Sequence, residues 1–457
     1  MENQNTQTEE KLKRKLGLFD GVNIMAGIII GSGIFYTLAD VLSYSNGNTG
    51  LTIVAWIIGG LMCLGGALCF AELGTMMPET GGTYYYISRI YKKIGPIVAF
   101  TQGWADTLLA IPAANIAIAM VGATYIGSLF GGFSAFQISC LSAAIAVIVS
   151  IVNIMGAKIG SLVNSVLMVI KVGAILAVIV LCYVFGQNTG DPITFQNLAE
   201  TSGSPFSAIV FSVVAVLWCF DGWNSISLMA GELKNPKKNI PRVMIITLVA
   251  ITGIYLLFNL SIMYVAPVEE IMASENITYD VVTTLLGKGA ATILTVCIIC
   301  SVLGSFVGSC MVYPRMIYAM ACDNRWFPIF KKVSKKSNEP IVADIYVMIM
   351  MVFYAFASTV RDLVNICTLK AWIYFLFIFI GVLVMRKTSP DAERAYKVPF
   401  GPVIPVIMIV FSTVMLIANF VMNPVTLVGL LIPLSGVPGY FAFKAYNKKR
   451  GRPFGIN

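Results

Sequence analysis

Histidine is absent from all 457 residues. That removes the commonest metal ligand and the one side chain that ordinarily titrates near neutrality. Charge is scarce too: 12% of residues are Asp, Glu, Lys or Arg, against roughly 25% in an ordinary soluble domain. With 58% hydrophobic residues and a mean hydropathy of +0.83, too little polar surface remains to cover a soluble core, and disorder is excluded. No low-complexity stretch is present, and the longest polar links, at about 186–204 and 265–280, are too short for an ectodomain. No short apolar core with a small-residue cleavage site follows the polar run ending at Lys15, so no cleaved signal peptide is expected. The ten cysteines lie mostly in apolar segments. The pair Cys297 and Cys300 has neither a second pair nor a histidine, so it reads as small core residues, not a redox or metal centre. No metal, no cofactor and no nucleophile–base pair is expected, hence no enzyme.

What remains is apolar sequence in blocks. Twelve can be delimited, at about 18–42, 49–77, 94–128, 134–153, 159–185, 205–231, 240–264, 281–320, 341–359, 363–385, 399–421 and 426–446. A spanning helix needs about 20 residues, and continuous apolarity is unlike the alternation of an outer-membrane barrel. The chain reads as an all-α polytopic membrane protein with 12 transmembrane helices.

Lysine and arginine set its orientation. Twenty-five of the 31 lie in the N-terminal arm, in alternate loops such as Lys234–Arg242 and Arg325–Lys336, and in the tail. The intervening loops carry mainly acids, among them Asp191, Glu200, Glu269 and Asp280. An even number of spans with both termini cytoplasmic satisfies this pattern. The net charge of +9 is then topology and not a nucleic-acid surface. Four parts follow: a basic arm at 1–16, a core at 17–385 (helices 1–5 at about 17–185, helices 6–10 at about 205–385), helices 11–12 with their preceding loop at 386–446, and a tail at 447–457.

Two of the blocks are interrupted. The first contains Gly31-Ser32-Gly33-Ile34-Phe35, the sixth Trp218-Cys219-Phe220-Asp221-Gly222-Trp223-Asn224. Breaks at corresponding positions of two halves point to an inverted-repeat transporter. An unwound turn frees N–H groups that attract a carboxylate, while freed carbonyls on the other helix accept from an ammonium. One zwitterion satisfies both, which is the physical reason to read an amino acid as the substrate. Close packing through small residues is the competing account of Gly31-Ser32-Gly33, and local backbone bonding that of Asp221. An intramembrane carboxylate is costly enough for function to be its default reading.

These residues resemble the APC superfamily of amino acid–polyamine–organocation transporters, and within it the L-type amino-acid transporter branch and its bacterial relatives. Besides the two interruptions, the resemblance rests on Ala71-Glu72-Leu73-Gly74, Pro78-Glu79-Thr80-Gly81-Gly82, Asn153-Ile154-Met155-Gly156-Ala157-Lys158, Glu232-Leu233-Lys234-Asn235-Pro236 and Tyr396-Lys397-Val398-Pro399. It implies a five-plus-five inverted repeat with discontinuous helices 1 and 6. It implies that amides near Ile29, Gly31, Ser32 and Gly33 hold a carboxylate, and carbonyls near Trp218, Phe220 and Asp221 an ammonium. Trp218 resembles a gating aromatic, and Asn224 falls where the branch has a site asparagine. Lys158 resembles the lysine that reaches between helices 1 and 8 in place of a sodium ion; a snorkelling terminal lysine is the alternative.

Asp106 and Lys370 are further charges inside apolar blocks. The link Gly131–Ser134 has no cysteine, so no disulfide-linked heavy subunit is expected, and the compact chain looks bacterial. The expected function is sodium-independent amino-acid exchange at the inner membrane, with neutral substrates first and cationic second. The rival is proton-coupled symport using Asp106, Asp221, Glu72 or Lys158. A transport-dead amino-acid sensor is the reading of another class.

Overall fold

The computed structural model describes residues 12–155, 157–195, 204–357, 360–422 and 429–455, apart from the side chains of 157–159, 161, 360–369 and 422. Residues 1–11 of the basic arm, Gly156, Glu200 and the side chains of Lys158 and Cys367 therefore lie outside the described residues.

The first block is two helices, α1 (Leu18–Ile29) and α2 (Thr37–Tyr44), separated by a non-helical stretch and one 3-10 turn at Gly33–Phe35. Next come α3 (Thr49–Met76) and a short α4 (Gly82–Ile90) in a stretch with no long apolar run. The third block is α5 (Gly95–Ala105) and α6 (Ile111–Ser128), joined by a π turn at Asp106–Ala110. After α7 (Ala135–Ile154) and α8 (Ala157–Phe185) comes the second interrupted block, α9 (Pro205–Cys219) and a 3-10 run at Ser225–Glu232. The chain continues through α10 (Pro236–Val265), the short α11 (Val268–Ala273) and α12 (Ile277–Leu286), then α13 (Lys288–Val312) and α14 (Pro314–Cys322). Last are α15 (Ile341–Ala357), α16 (Val360–Thr388), α17 (Val403–Met422) and α18 (Leu431–Lys449).

Among the described residues, 8 helical runs have the length and apolarity to cross a membrane, and two of the shorter apolar helices, α1 and α9, are the first halves of the interrupted blocks. No strand forms among them; one isolated bridge pairs Leu16 with Leu233. The block expected at 281–320 is not one helix. Gly287 turns the chain at φ +83, a conformation glycine adopts without cost, and this separates α12 from α13.

Helix starts follow local chemistry. Asn48 Oδ1 accepts from Leu51 N at 2.8 Å and opens α3. Gln137 Oε1 accepts from Ser134 N at 2.8 Å and Ser134 Oγ from Gln137 N at 3.4 Å, a reciprocal cap on α7. Asn235, left-handed at φ 47, is followed by Pro236 in the first turn of α10. In the interior α13 packs on α1, α6 and α8, and α10 on α1, α3 and α8.

Buried ion pairs close the end of the molecule that bears both chain ends. Glu72 of α3 takes Arg386 in a two-pronged contact at 2.9 and 2.5 Å and also accepts from Val398 N. Arg89 of α4 holds Asp323 at 3.0 Å. Arg315, fully buried, reaches Glu232 and Glu339, each at 2.8 Å, with Asp344 also in its field. Leu16 N donates to Glu232 O, and Lys234 N to Leu16 O, tying α1 to the 3-10 run.

Burial pushes the Glu339 carboxyl up to about 8 from 4.5, against the pull of Arg315 and helped by Asp344 and Glu232. The folded chain thus holds that proton more tightly than the unfolded chain. The stability this contributes is full below the ordinary carboxyl range and is lost as pH rises towards 8. The melting temperature in detergent should therefore fall between about pH 5 and 8 by this contribution, and Glu339→Gln should flatten the slope; an unchanged slope would assign it to other groups. Arg315→Met leaves Glu232 buried without its partner and should cost about 3–5 kcal/mol, read as a lower melting temperature.

Candidate functional site

The ends of the two interrupted blocks meet at a cavity of about 800 Å³. Ile29, Gly31, Ser32 and Gly33 line it from the first break, and Trp218, Asp221 and Asn224 from the second. Phe220 does not: it is buried, its ring 5.3 Å from that of Tyr255. Gly222 sits between the breaks at φ +92, and a Cβ there would lie 2.4 Å from Ile28 Cγ2.

At the first break α1 stops because Ile30 swings to ψ 91. The carbonyls this releases must find donors, and neighbouring helices supply them. Lys171 Nζ of α8 donates to Gly27 O at 2.8 Å, to Ile30 O at 2.6 Å and to Ser305 Oγ at 3.2 Å. Ser305 Oγ donates to Ile30 O at 2.8 Å, and Ser301 Oγ to Gly31 O at 3.2 Å. The Tyr255 hydroxyl lies 3.2 Å from Ile29 O and 3.3 Å from Cys219 O, so one proton is shared between the two breaks. Among the described residues no acceptor meets the amides of Gly31, Ser32 and Gly33. At the second break Trp218 O and Phe220 O each accept one backbone N–H, from Asp221 and Trp223, leaving each a second lone pair.

Asp221 is exposed within the cavity, and among the described residues no cation pairs with it. Trp223 also lines the cavity and is wedged between Phe70 at 5.2 Å and Phe375 at 5.0 Å. The site thus offers unpaired amides on one side, with carbonyls and a carboxylate on the other, which is the complement of an amino acid's own two charges.

Lys171 reaches between α1 and α13, while the side chain expected there, that of Lys158, lies outside the described residues. Lys158 opens α8, and thirteen residues at 1.5 Å each place it about 20 Å from Lys171 along the axis. A signal for Lys171 was available, since within the block at 159–185 it is the one charged residue. Glu72 does not line the cavity; its carboxylate is taken up by Arg386 and Val398. Asp106 and Lys370, which nothing in the sequence connects, form an ion pair on the cavity wall.

A family model described as amino acid permease matches residues 16–443. The serine/threonine exchanger SteT of Bacillus subtilis (strain 168) is 31% identical over 440 residues, covering 95% of this chain and 97% of its own. The human b(0,+)-type amino acid transporter 1 is also 31% identical over 440 residues, covering 95% and 89%. The human cystine/glutamate transporter is 27% identical over 447 residues, covering 97% and 88%.

Gly222→Ala combines a left-handed backbone with a clash against Ile28, and should cost about 1–3 kcal/mol. The expected result is a lower melting temperature and weaker stabilisation by ligand. Adding Ile28→Ala should recover part of the loss, because it relieves the clash but not the backbone strain.

Proposed function

The chain belongs to the amino acid permease family, and from that premise we propose that it is a sodium-independent amino-acid exchanger of the cell membrane. In this reading it has twelve spanning helices, a five-plus-five inverted repeat and both termini in the cytoplasm, and it catalyses no chemical reaction. Neutral amino acids are the first substrate class and cationic ones the second. No disulfide-linked subunit is required.

The observation that carries the reading is the pairing of the two breaks across one cavity. The amides of Gly31, Ser32 and Gly33 receive the substrate carboxylate, aided by the positive end of the following helical segment. The spare lone pairs of Trp218 O and Phe220 O, and the free Asp221 O, receive the ammonium. Asp221 adds a negative charge that suits this ammonium or a cationic side chain. With the ion-paired end closed, substrate enters from the other side. Parting α1 and the Ser225–Glu232 run from α14 and the Glu339 loop then opens the route inward, and the bundle rocks about the fixed site.

Lys171 supports the sodium-independent reading. Its ammonium takes Gly27 O, Ile30 O and Ser305 Oγ, the kind of carbonyl and hydroxyl set that a hard alkali cation would otherwise need. A fixed cation leaves no ion to co-transport. The same group favours the second reading, proton-coupled symport, since loss of its proton would release those oxygens.

Uptake into liposomes holding the purified protein decides between them. Uptake that requires amino acid inside the vesicle is the result expected; uptake into empty vesicles driven by an inward proton gradient would replace exchange with symport. Lys171→Ala should reduce turnover by at least about tenfold, roughly 1.4 kcal/mol, while Lys158→Ala remains active. Equal losses in the two would remove Lys171 from its role. Asp221→Asn should weaken cationic substrates relative to neutral ones, measured as a ratio of inhibition constants; an unchanged ratio would make Asp221 structural.

A further inference from the structure

The cavity extends beyond the two breaks to a polar wall built by α5, α6 and α16. Pro112 has no N–H to give to the turn before it, and the helix passes through a π turn at Asp106–Ala110, a form often found at functional sites. Two released carbonyls are met from α15: Tyr354 OH donates to Leu108 O at 2.9 Å, and Tyr346 OH to Thr107 O at 3.3 Å. The bulge is therefore held in place, and Asp106, its first residue, pairs with Lys370 of α16. Both are buried and both line the cavity. Gln102 and Asn115 line it as well, and among the described residues Gln102 Oε1 and both amide atoms of Asn115 are buried without a partner.

We propose that Asp106 and Lys370, with Gln102 and Asn115, form a side-chain subsite selecting amino acids whose side chain ends in an uncharged group that donates and accepts at once, the carboxamide being the simplest. This deepens the exchanger reading and rests on it. The pair is neutral as it stands. A carboxamide oxygen accepts from the Lys370 ammonium while its NH2 donates to Asp106, and the charge balance is undisturbed. A carboxylate tip gains Lys370 but meets the like charge of Asp106, and an ammonium tip meets the reverse. An aliphatic tip strips water from the pair and returns no hydrogen bond, a loss of the kind by which polar sites reject apolar analogues.

The test is exchange in liposomes, with glutamine, glutamate, lysine and methionine as competitors. For the natural chain, glutamine should inhibit best. Asp106→Asn frees Lys370 and should shift the glutamate-to-glutamine ratio of inhibition constants towards glutamate by at least about tenfold. Lys370→Met frees Asp106 and should shift the lysine-to-glutamine ratio towards lysine by a similar factor. The double variant leaves no stranded charge. It should lose the preference for glutamine over methionine without favouring either charged competitor, and it carries the test if a single variant fails to fold. Shifts of opposite sense support the subsite. Ratios unchanged, or moved in one direction by both variants, overturn it while leaving exchange intact. A natural chain that exchanges no amino acid would overturn the transport reading itself, and the subsite with it.

Discussion

A carbonyl freed from its helix inside hydrocarbon has no water to turn to, and this constraint organises the centre of the molecule. Breaking the first helix at Ile30 releases oxygens at Gly27, Ile29, Ile30 and Gly31, and each is met by a side chain from another helix: Lys171 from α8, Ser301 and Ser305 from α13, Tyr255 from α10. The break is thus the point at which four helices are tied together. Among the described residues the amides of Gly31, Ser32 and Gly33 have no acceptor, and these lie where a ligand can complete them. The π turn in the third block repeats the device at smaller scale, with two tyrosines of α15 meeting the carbonyls released before Pro112.

The closed end sets charge against charge, where the centre sets one lysine and three hydroxyls against backbone carbonyls. Arg386 on Glu72, Arg315 among three acids and Arg89 on Asp323 join elements that are remote in sequence. Ion pairs buried this deeply add little net stability when intact and cost a great deal when one partner is lost. Water entering such a cluster restores hydration to both partners as they separate. That suits contacts which must hold one state and then part completely, more than it suits a permanent joint.

Much of this was legible in the sequence, for a physical reason. A spanning helix needs an unbroken apolar run, so the blocks from Thr49, Ala135, Pro205 and Ile341 begin within a few residues of the observed helices. Glycine and aspartate inside such runs are expensive, and this exposed both breaks; of the eight residues that the resemblance pointed to, all but Phe220 line the cavity. The remainder depends on packing. The short helices α4 and α11 lie outside any long apolar run, and α12, though apolar, was merged with α13 because a glycine turn hid inside the block at 281–320. Lys158 drew attention because it stands in a recognisable motif, whereas Lys171 matters because of where α8 crosses α1. Asp106 and Lys370 were each visible as intramembrane charges, but no local pattern pairs residues this distant in sequence.

The half-helix α1 is fastened to both halves of the second interrupted block, by Leu16 against Leu233 just beyond the Ser225–Glu232 run and by the Tyr255 hydroxyl between Ile29 O and Cys219 O at the end of α9. Mechanically they form one lever with two handles. In the proposed reading an amino acid grips both handles, so the work done at its carboxylate is felt at the half-helix that holds its ammonium. A simple amine or a simple carboxylic acid grips one handle and leaves the other slack. Such molecules would be blockers at best, and recognition of the α-amino-acid group becomes a matter of leverage as much as of affinity.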